Sequence, residues 1–201
     1  MVSNTLAIMA FFLAYFWVLE HPFFAAFEMP LTAIDHWIAF RPSAIVLYGS
    51  LWIYVSIPYA LLTRKHEMLA YGIAACGLAV TGLAIFVVWP TAIPAFPIDW
   101  SQHPTSAFLK DLDANGNACP SLHVAFAIFS AVWMQRLLRE LGAGPAIRFA
   151  NWVWFIAIVY STIAIRQHVV LDVIAGVALG LGIVAANLFW LRRHERLHTA
   201  L

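Results

Sequence analysis

Residues 169–190 read VVLDVIAGVALGLGIVAANLFW, an apolar run of 22 residues with a single ionisable side chain, Asp172. A helix needs about 20 apolar residues to cross the hydrocarbon core of a bilayer. The run is therefore typical of a membrane-spanning helix, and Gly176, Gly180 and Gly182 would let it pack closely against a neighbour. A carboxylate inside such a span is costly without a partner, so Asp172 is a candidate functional residue.

Five more apolar runs precede this one, at residues 6–19, 43–62, 68–89, 122–138 and 147–165. Backbone polar groups in lipid must be paired within their own segment, and these runs lack the alternation of barrel strands. The first run is short for a span but is not followed by a signal-peptide cleavage site. The sequence predicts an all-α, polytopic membrane protein: about six transmembrane helices in one bundle, with residues 1–201 as a single domain.

The composition restricts the kinds of partner. Hydrophobic residues make up 63% of the chain and charged residues 10%, with a net charge of +1. Such a chain belongs in a lipid bilayer and has no charge excess that would recruit nucleic acid. Cys76 and Cys119 show neither a metal-ligand spacing nor a disulfide framework, so we expect no cofactor on their account. The oligomeric state is left open by the sequence.

Basic residues cluster in three short connections, and such residues favour the cytoplasmic side of a membrane. They are Arg64 and Lys65; Arg136, Arg139 and Arg148; and Arg192, Arg193 and Arg196. The clusters predict that both termini are cytoplasmic and that segments 20–42, 90–120 and 166–167 lie outside. Segment 90–120 carries four prolines in its first half, and we predict a structured external loop there rather than a helix.

The last span begins with a group of side chains suited to phosphate chemistry. His168 and Asp172 are four residues apart, so on a helix they share one face and the carboxylate can orient the imidazole. The other ring nitrogen would then be a nucleophile. Arg166 offers a fork of donors for phosphate oxygens, and free N–H groups at the helix start would favour an anion.

A second polar group stands at the start of the fourth span. Pro120 suits a helix start, and Ser121 could cap the helix or donate to an oxyanion. His123 is a second imidazole, which could protonate a leaving group and then activate an acceptor. This chemistry requires that the fourth and sixth spans pack together.

These two stretches carry a family resemblance. Pro120-Ser121-Leu122-His123, with His168-x-x-x-Asp172 beginning 45 residues after His123, resembles the second and third signature motifs of the type 2 phosphatidic acid phosphatase superfamily. The form Arg-Gln-His-x-x-x-Asp and the Leu in Pro-Ser-Leu-His are most similar to the branch with inositol phosphorylceramide synthases. The resemblance implies a phosphohistidine on His168 without a metal ion. It also implies that Asp172 orients His168, that His123 is the acid and base, and that Ser121 and Arg166 hold phosphate.

The sequence departs from the superfamily pattern at two cationic positions. The first signature motif, a Lys followed by Arg-Pro, is missing near residues 89–91, and Thr162 stands where the third motif commonly has Arg. Arg166 is expected to replace one of the two phosphate-binding cations. Lys110 and Arg41 are the candidates for the other.

The resulting prediction is an integral lipid phosphatase of the cell (inner) membrane, acting on lipid-linked phosphate at the external side. A phosphotransferase that uses an alcohol acceptor in place of water is the alternative within the same chemistry. From another class, intramembrane histidines could line a transport path or bind haem. Haem, however, needs pairs of histidines that face each other across helices.

Overall fold

The computed structural model of the chain describes the backbone of residues 2–113 and 116–199, and the side chains of residues 9–110 and 116–194. Helices dominate the described residues, with one pair of very short strands. In chain order the elements are α1 (Val2–Glu20), β1 (Phe27–Glu28), α2 (Ala33–Trp37), α3 (Ile45–Gly49), α4 (Leu51–Tyr54), α5 (Ser56–Leu61), α6 (Lys65–Val88), β2 (Thr91–Ala92), α7 (Pro104–Asp113), α8 (Leu122–Glu140), α9 (Pro145–Ala164) and α10 (Val170–Thr199).

Four helical segments within the described part of the chain are long and apolar enough to cross a membrane. They are Pro42–Leu61, Lys65–Val88, Pro145–Ala164 and Val170–His194. The predicted class, an all-α membrane protein, is confirmed in this form. The other two predicted spans are also helices. The apolar part of α1, Met9–Glu20, is shorter than a span, and α8 carries His123, Gln135 and Arg136 among its apolar residues.

Helix α8 lies at the centre of the bundle. It packs against α10, α9 and α6, and 12 of its 19 residues are buried. Phe129 and Trp133 belong to the main apolar cluster, which also contains Leu78 of α6 and Val184 of α10. The polar side chains of α8 are therefore covered largely by protein, which explains how a helix of modest hydropathy occupies the middle of an apolar bundle.

Two glycines bring α10 against the backbone of α8. A Cβ atom built on Gly176 would lie 2.4 Å from the carbonyl oxygen of Ser121, and one on Gly180 would lie 2.4 Å from that of Ala125. Gly182, on another side of α10, has nothing within 4 Å of such an atom. The close packing required between the fourth and sixth predicted spans is thus present, and it depends on two of the three glycines.

The connections at the end of the bundle where α8 and α10 begin are also ordered. Strands β1 and β2 pair in parallel, with Phe27 opposite Thr91. Thr91 then joins β2 to the approach to α8, because its Oγ1 accepts a hydrogen bond of 2.7 Å from the N–H of Cys119. These contacts hold segments 20–42 and 90–120 to each other and to the start of α8.

Segment 90–120 differs from its prediction in one respect. It contains the ten-residue helix α7, Pro104–Asp113, whereas the proline content had indicated a loop without a helix. The prolines at 90, 94, 97 and 104 all precede or begin α7, and proline is well tolerated at the first helical position. Residues 105–113 include neither proline nor glycine, so nothing in them interrupts a helix.

We expect Gly180→Ala to destabilise the protein, because the added methyl group would collide with a main-chain carbonyl that cannot rotate away. Overpacking of this kind costs about 1–3 kcal/mol. Thermal unfolding in detergent measures the effect, with Gly182→Ala as the matched control on the same helix. Equal melting temperatures of the two variants would contradict the close α8–α10 contact.

Candidate active site

The structure brings His168 and Asp172 together at the start of α10. Their side chains are 8% and 0% exposed, and His168 Nδ1 lies 3.6 Å from Asp172 Oδ2. Asp172 Oδ2 also accepts a hydrogen bond of 2.9 Å from the N–H of Val169. Because Nδ1 faces the carboxylate, Nε2 is on the opposite edge of the imidazole ring. This is the orientation in which Nε2 can act as a nucleophile.

Three N–H groups around His168 have partners at the start of α10. The N–H of Val169 is bound by Asp172, and that of Val170 donates 2.9 Å to Asp35 Oδ1. The N–H of His168 itself donates 3.1 Å to the carbonyl of Thr162. These three groups are therefore not available to the anion site that the sequence predicts at this helix end.

Asp35 is a part of this arrangement that the sequence prediction missed. It lies in the short helix α2, is 2% exposed, and its Oδ2 accepts hydrogen bonds from the N–H of Thr32 at 2.8 Å and from the Thr32 hydroxyl at 2.7 Å. A Thr followed three residues later by an acidic residue is typical of a helix start. That signal could have identified α2, but not the contact with Val170.

Arg166 connects the turn before His168 to the segment that carries α2. It has a positive φ of 61°, and its guanidinium donates 3.0 Å to the carbonyl of Asp35 and 2.7 Å to that of Ile38. The same group lies over the ring of Phe96. Burial lowers the pKa of Arg166, and the nearby Asp35 carboxylate opposes that shift. The donor fork predicted to hold phosphate therefore binds main-chain carbonyls, which leaves Nε without a partner among the described residues.

Ser121 and His123 stand beside this site, at the start of α8. Ser121 caps the helix, since its Oγ accepts from the N–H of Val124, and its own N–H donates 3.0 Å to the carbonyl of Asp172. His123 Nε2 lies 3.1 Å from the carbonyl of Tyr48, and its ring stacks on the Tyr48 ring. Because a carbonyl only accepts, Nε2 carries a hydrogen and Nδ1 is the nitrogen left for chemistry. Ser121 thus joins the start of α8 to Asp172, and His123 follows two residues later on the same helix.

The two other candidate cations lie on the segments that surround the α9–α10 turn. Arg41 has an exposed side chain, and its N–H donates 2.8 Å to the carbonyl of Ala164. Lys110 lies on α7, where its ammonium group is 4.6 Å from the centre of the Trp100 ring. The preceding residue, Leu109, packs against a cluster that contains Ala164. Both cations thus belong to chain segments that contact the residues before His168.

A cavity of about 220 Å³ opens between α3 and the start of α7. Its lining consists of Pro42, Ile45, Gln102, His103, Pro104, Thr105 and Ser106. Neither His123 nor His168 lines this cavity, but Ile45 packs in the same cluster as Ala164 and Ile165. The cavity is therefore a neighbour of the turn that precedes the histidine, and four of its seven lining residues carry polar side chains.

Comparison with known families identifies the superfamily of the chain. A family model described as PAP2 superfamily matches residues 14–186. The chain belongs to the PAP2 superfamily. The superfamily predicted from the two motifs is confirmed, and the match extends to the first half of the chain, which the motifs did not cover. PAP2 membership supports a phosphatase-type activity in general. No curated protein and no solved structure matches the chain significantly.

The contacts of Arg166 give a test of its structural role in this PAP2 protein. Arg166→Lys would lose the planar fork that binds two carbonyls at once, and a hydrogen bond to a charged group contributes about 1.5–3 kcal/mol. We expect backbone amides in and around α2 to exchange hydrogen at least about tenfold faster, since about 1.4 kcal/mol corresponds to that factor.

Arg41→Lys is the matched control for this measurement, because the Arg41 side chain is exposed and the contact with Ala164 uses its main chain. Unchanged exchange around α2 in Arg166→Lys would show that the two carbonyl contacts do not hold the segment.

Proposed function

We propose that the protein is a lipid phosphatase that removes phosphate from a lipid through a phosphohistidine on His168. The observation that carries this proposal is the buried His168–Asp172 pair beside His123, in a membrane protein of the PAP2 superfamily. An imidazole held by a carboxylate on one nitrogen is a nucleophile on the other. The second imidazole can supply the acid and base that the reaction requires.

In the first proposed step, His168 Nε2 attacks the phosphorus of the lipid phosphate. A nitrogen–phosphorus bond forms and the bond from phosphorus to the lipid oxygen breaks. The lipid oxygen takes a proton from Nδ1 of His123. Nδ1 is suited to this transfer because Nε2 is hydrogen-bonded to the Tyr48 carbonyl. The imidazole of His168 gains positive charge in this step, and the Asp172 carboxylate at Nδ1 stabilises that charge.

In the second proposed step, water attacks the phosphohistidine. His123 takes a proton from the water as the new oxygen–phosphorus bond forms, and the nitrogen–phosphorus bond breaks to release inorganic phosphate. His168 returns to its neutral form and His123 to its protonated form, so the cycle closes. No metal ion takes part in the proposed route, because side chains balance the charge on phosphate.

The proposed phosphate ligands are side chains. The Ser121 hydroxyl accepts from Val124 but can still donate its own hydrogen to a phosphate oxygen. Two of the five N–H donors of Arg166 bind main-chain carbonyls and Nε has no partner among the described residues, so only part of its fork is left for phosphate. Arg41 and Lys110 therefore become the more important candidates for the positive charge that the absent first motif would have supplied.

We further propose that the site faces the external side of the cell membrane. The α8 and α10 starts lie at one end of the bundle, whereas the basic residues around the start of α6 and the end of α8 lie at the other. Arg64, Lys65, Arg136 and Arg139 form that basic group. Such residues favour the cytoplasmic side, which directs the histidines outward.

A phosphotransferase with an alcohol acceptor is the second candidate. It would use the same phosphohistidine, with an alcohol in place of water in the second step. The cavity beside the α9–α10 turn favours this candidate, because Gln102, His103, Thr105 and Ser106 could hydrogen-bond a small hydroxylated molecule. The similarity of Pro-Ser-Leu-His and Arg-Gln-His-x-x-x-Asp to the inositol phosphorylceramide synthase branch points in the same direction.

The proposal is tested with purified protein in lipid vesicles and a panel of phosphate-labelled lipid phosphates and phosphodiesters, with and without added alcohols. We expect the wild type to release inorganic phosphate and to carry acid-labile label, whereas His168→Asn does neither. The expected loss is on the order of a thousandfold or more, because the nucleophile itself is removed. A new labelled lipid or phosphorylated alcohol would identify the transferase instead.

His21→Asn is the matched control, because this exposed histidine lies at the end of α1, where it contacts the carbonyl and the ring of Trp17. If His168→Asn kept full activity, the nucleophile would be another residue. An absorption spectrum of the same preparation checks the rival class, since a Soret band would indicate a haem protein.

A further inference from the structure

Asp35 has no part in the chemistry proposed above, yet its side chain and its main chain bind residues on opposite sides of His168 in the sequence. Its Oδ1 accepts 2.9 Å from the N–H of Val170, two residues after the histidine. Its main-chain carbonyl accepts 3.0 Å from the guanidinium of Arg166, two residues before it. His168 is therefore bracketed by two contacts to a single residue of α2.

Burial of a carboxylate is unfavourable unless donors compensate for the lost water. Asp35 is 2% exposed, and three donors surround it: the N–H of Val170, the N–H of Thr32 and the Thr32 hydroxyl. The positive charge of Arg166 lies nearby and interacts favourably with it. The carboxylate is thus held by three hydrogen bonds, and moving it would break them together.

The two carboxylates at the start of α10 have different targets. Asp172 binds the N–H of Val169 and faces the imidazole ring of His168. Asp35 binds the next N–H, that of Val170, and does so from a segment more than 130 residues away in the sequence. Asp172 thus acts on the ring, and Asp35 acts on the backbone that carries the ring.

We propose that Asp35 is a positioning residue for His168. Through its contacts with Val170 and Arg166 it fixes the position and the orientation of the imidazole ring. This inference rests on the proposed function of His168 as the nucleophile. A nucleophile has to lie within a few tenths of an ångström of its productive position, and a misplacement of about 1 Å can cost about a hundredfold in rate. The segment with α2 is then part of the catalytic scaffold and not only a connection between helices.

The decisive variants are Asp35→Asn and Asp35→Ala, compared with Asp99→Asn. Asp99 is a matched control, because this exposed carboxylate also receives three hydrogen bonds, from Ser101 N–H, the Ser101 hydroxyl and Gln102, and none of them involves the turn that carries His168. The assay is hydrolysis of a short-chain phosphatidic acid in detergent, with kcat and KM determined separately.

We expect Asp35→Ala to lower kcat by about a hundredfold and Asp35→Asn by about tenfold, with KM changed less than twofold. Asparagine loses less because its amide oxygen can still accept from Val170. Asp99→Asn should keep the wild-type kcat. If Asp35 had a purely structural role, its variants would contain less folded enzyme, and the kcat of each folded molecule would not fall in the order Asp35→Asn, then Asp35→Ala. Thermal unfolding and active-site labelling are therefore measured on the same samples. A wild-type kcat in Asp35→Ala would overturn the proposal.

Thr32→Val is the milder variant if Asp35→Ala does not fold. It removes one donor to Asp35 while the Thr32 N–H contact can remain. We expect kcat to fall about threefold at unchanged KM, as about one neutral hydrogen bond is lost. An unchanged kcat in Thr32→Val, with Asp35→Asn also at the wild-type value, would exclude positioning through this residue.

A measurement without substrate separates this inference from the proposed function. Diethylpyrocarbonate modifies accessible imidazoles, and peptide mass spectrometry gives its rate at each histidine. We expect His168 to react several-fold faster in Asp35→Asn than in the wild type or Asp99→Asn, because a loosened backbone exposes the ring. Faster modification in a protein without phosphatase activity would support positioning and refute the proposed function. If the wild type were active, and Asp35→Asn changed neither the modification rate of His168 nor kcat, the result would support the proposed function and refute positioning by Asp35.

Discussion

The carboxylate of Asp172 has no solvent exposure, and the arrangement of the active-site end depends on how its charge is compensated. One oxygen receives the N–H of Val169 and faces His168, and the main-chain carbonyl of the same residue receives the N–H of Ser121. That last contact requires α8 and α10 to touch backbone to backbone, which Gly176 permits. Asp172 thereby faces His168 with its side chain and joins two helices through its main chain.

Two carboxylates bind N–H groups at the start of α10, and this affects how phosphate can be bound there. The N–H groups of Val169 and Val170, which would otherwise attract an anion, are occupied by Asp172 and Asp35. Side chains on the surrounding segments, where Arg41 and Lys110 lie, are then the proposed source of positive charge for the substrate. In the proposed mechanism the start of α10 holds the nucleophile, while the connections supply the charge that holds the phosphate.

Local patterns in the sequence were sufficient to predict most of the long helices and part of the candidate site. Apolar runs predicted helices α6, α8, α9 and α10 to within a few residues at most ends, and the spacing of His168 and Asp172 predicted that they meet. The contact of Asp35 with Val170 could not be predicted, because it joins residues that are 135 apart in sequence. For the same reason the sequence does not reveal that two distant carbonyls bind the fork of Arg166. Helix α7 is not predicted, because the prolines that precede it are typical of a loop.

The proposed hydrolysis and the proposed transfer share a phosphohistidine, so the difference between them lies in which molecule reaches phosphorus second. Water is abundant and small, and an alcohol can compete only if a pocket holds it near the histidine and keeps water out. His168 is nearly buried, which restricts the approach of both. The polar cavity between α3 and α7 contacts the cluster beneath the α9–α10 turn through Ile45, but neither histidine lines it. An alcohol bound in this cavity would therefore need to extend toward His168, whereas a water molecule does not need the cavity. On this geometry hydrolysis is the simpler of the two proposed reactions.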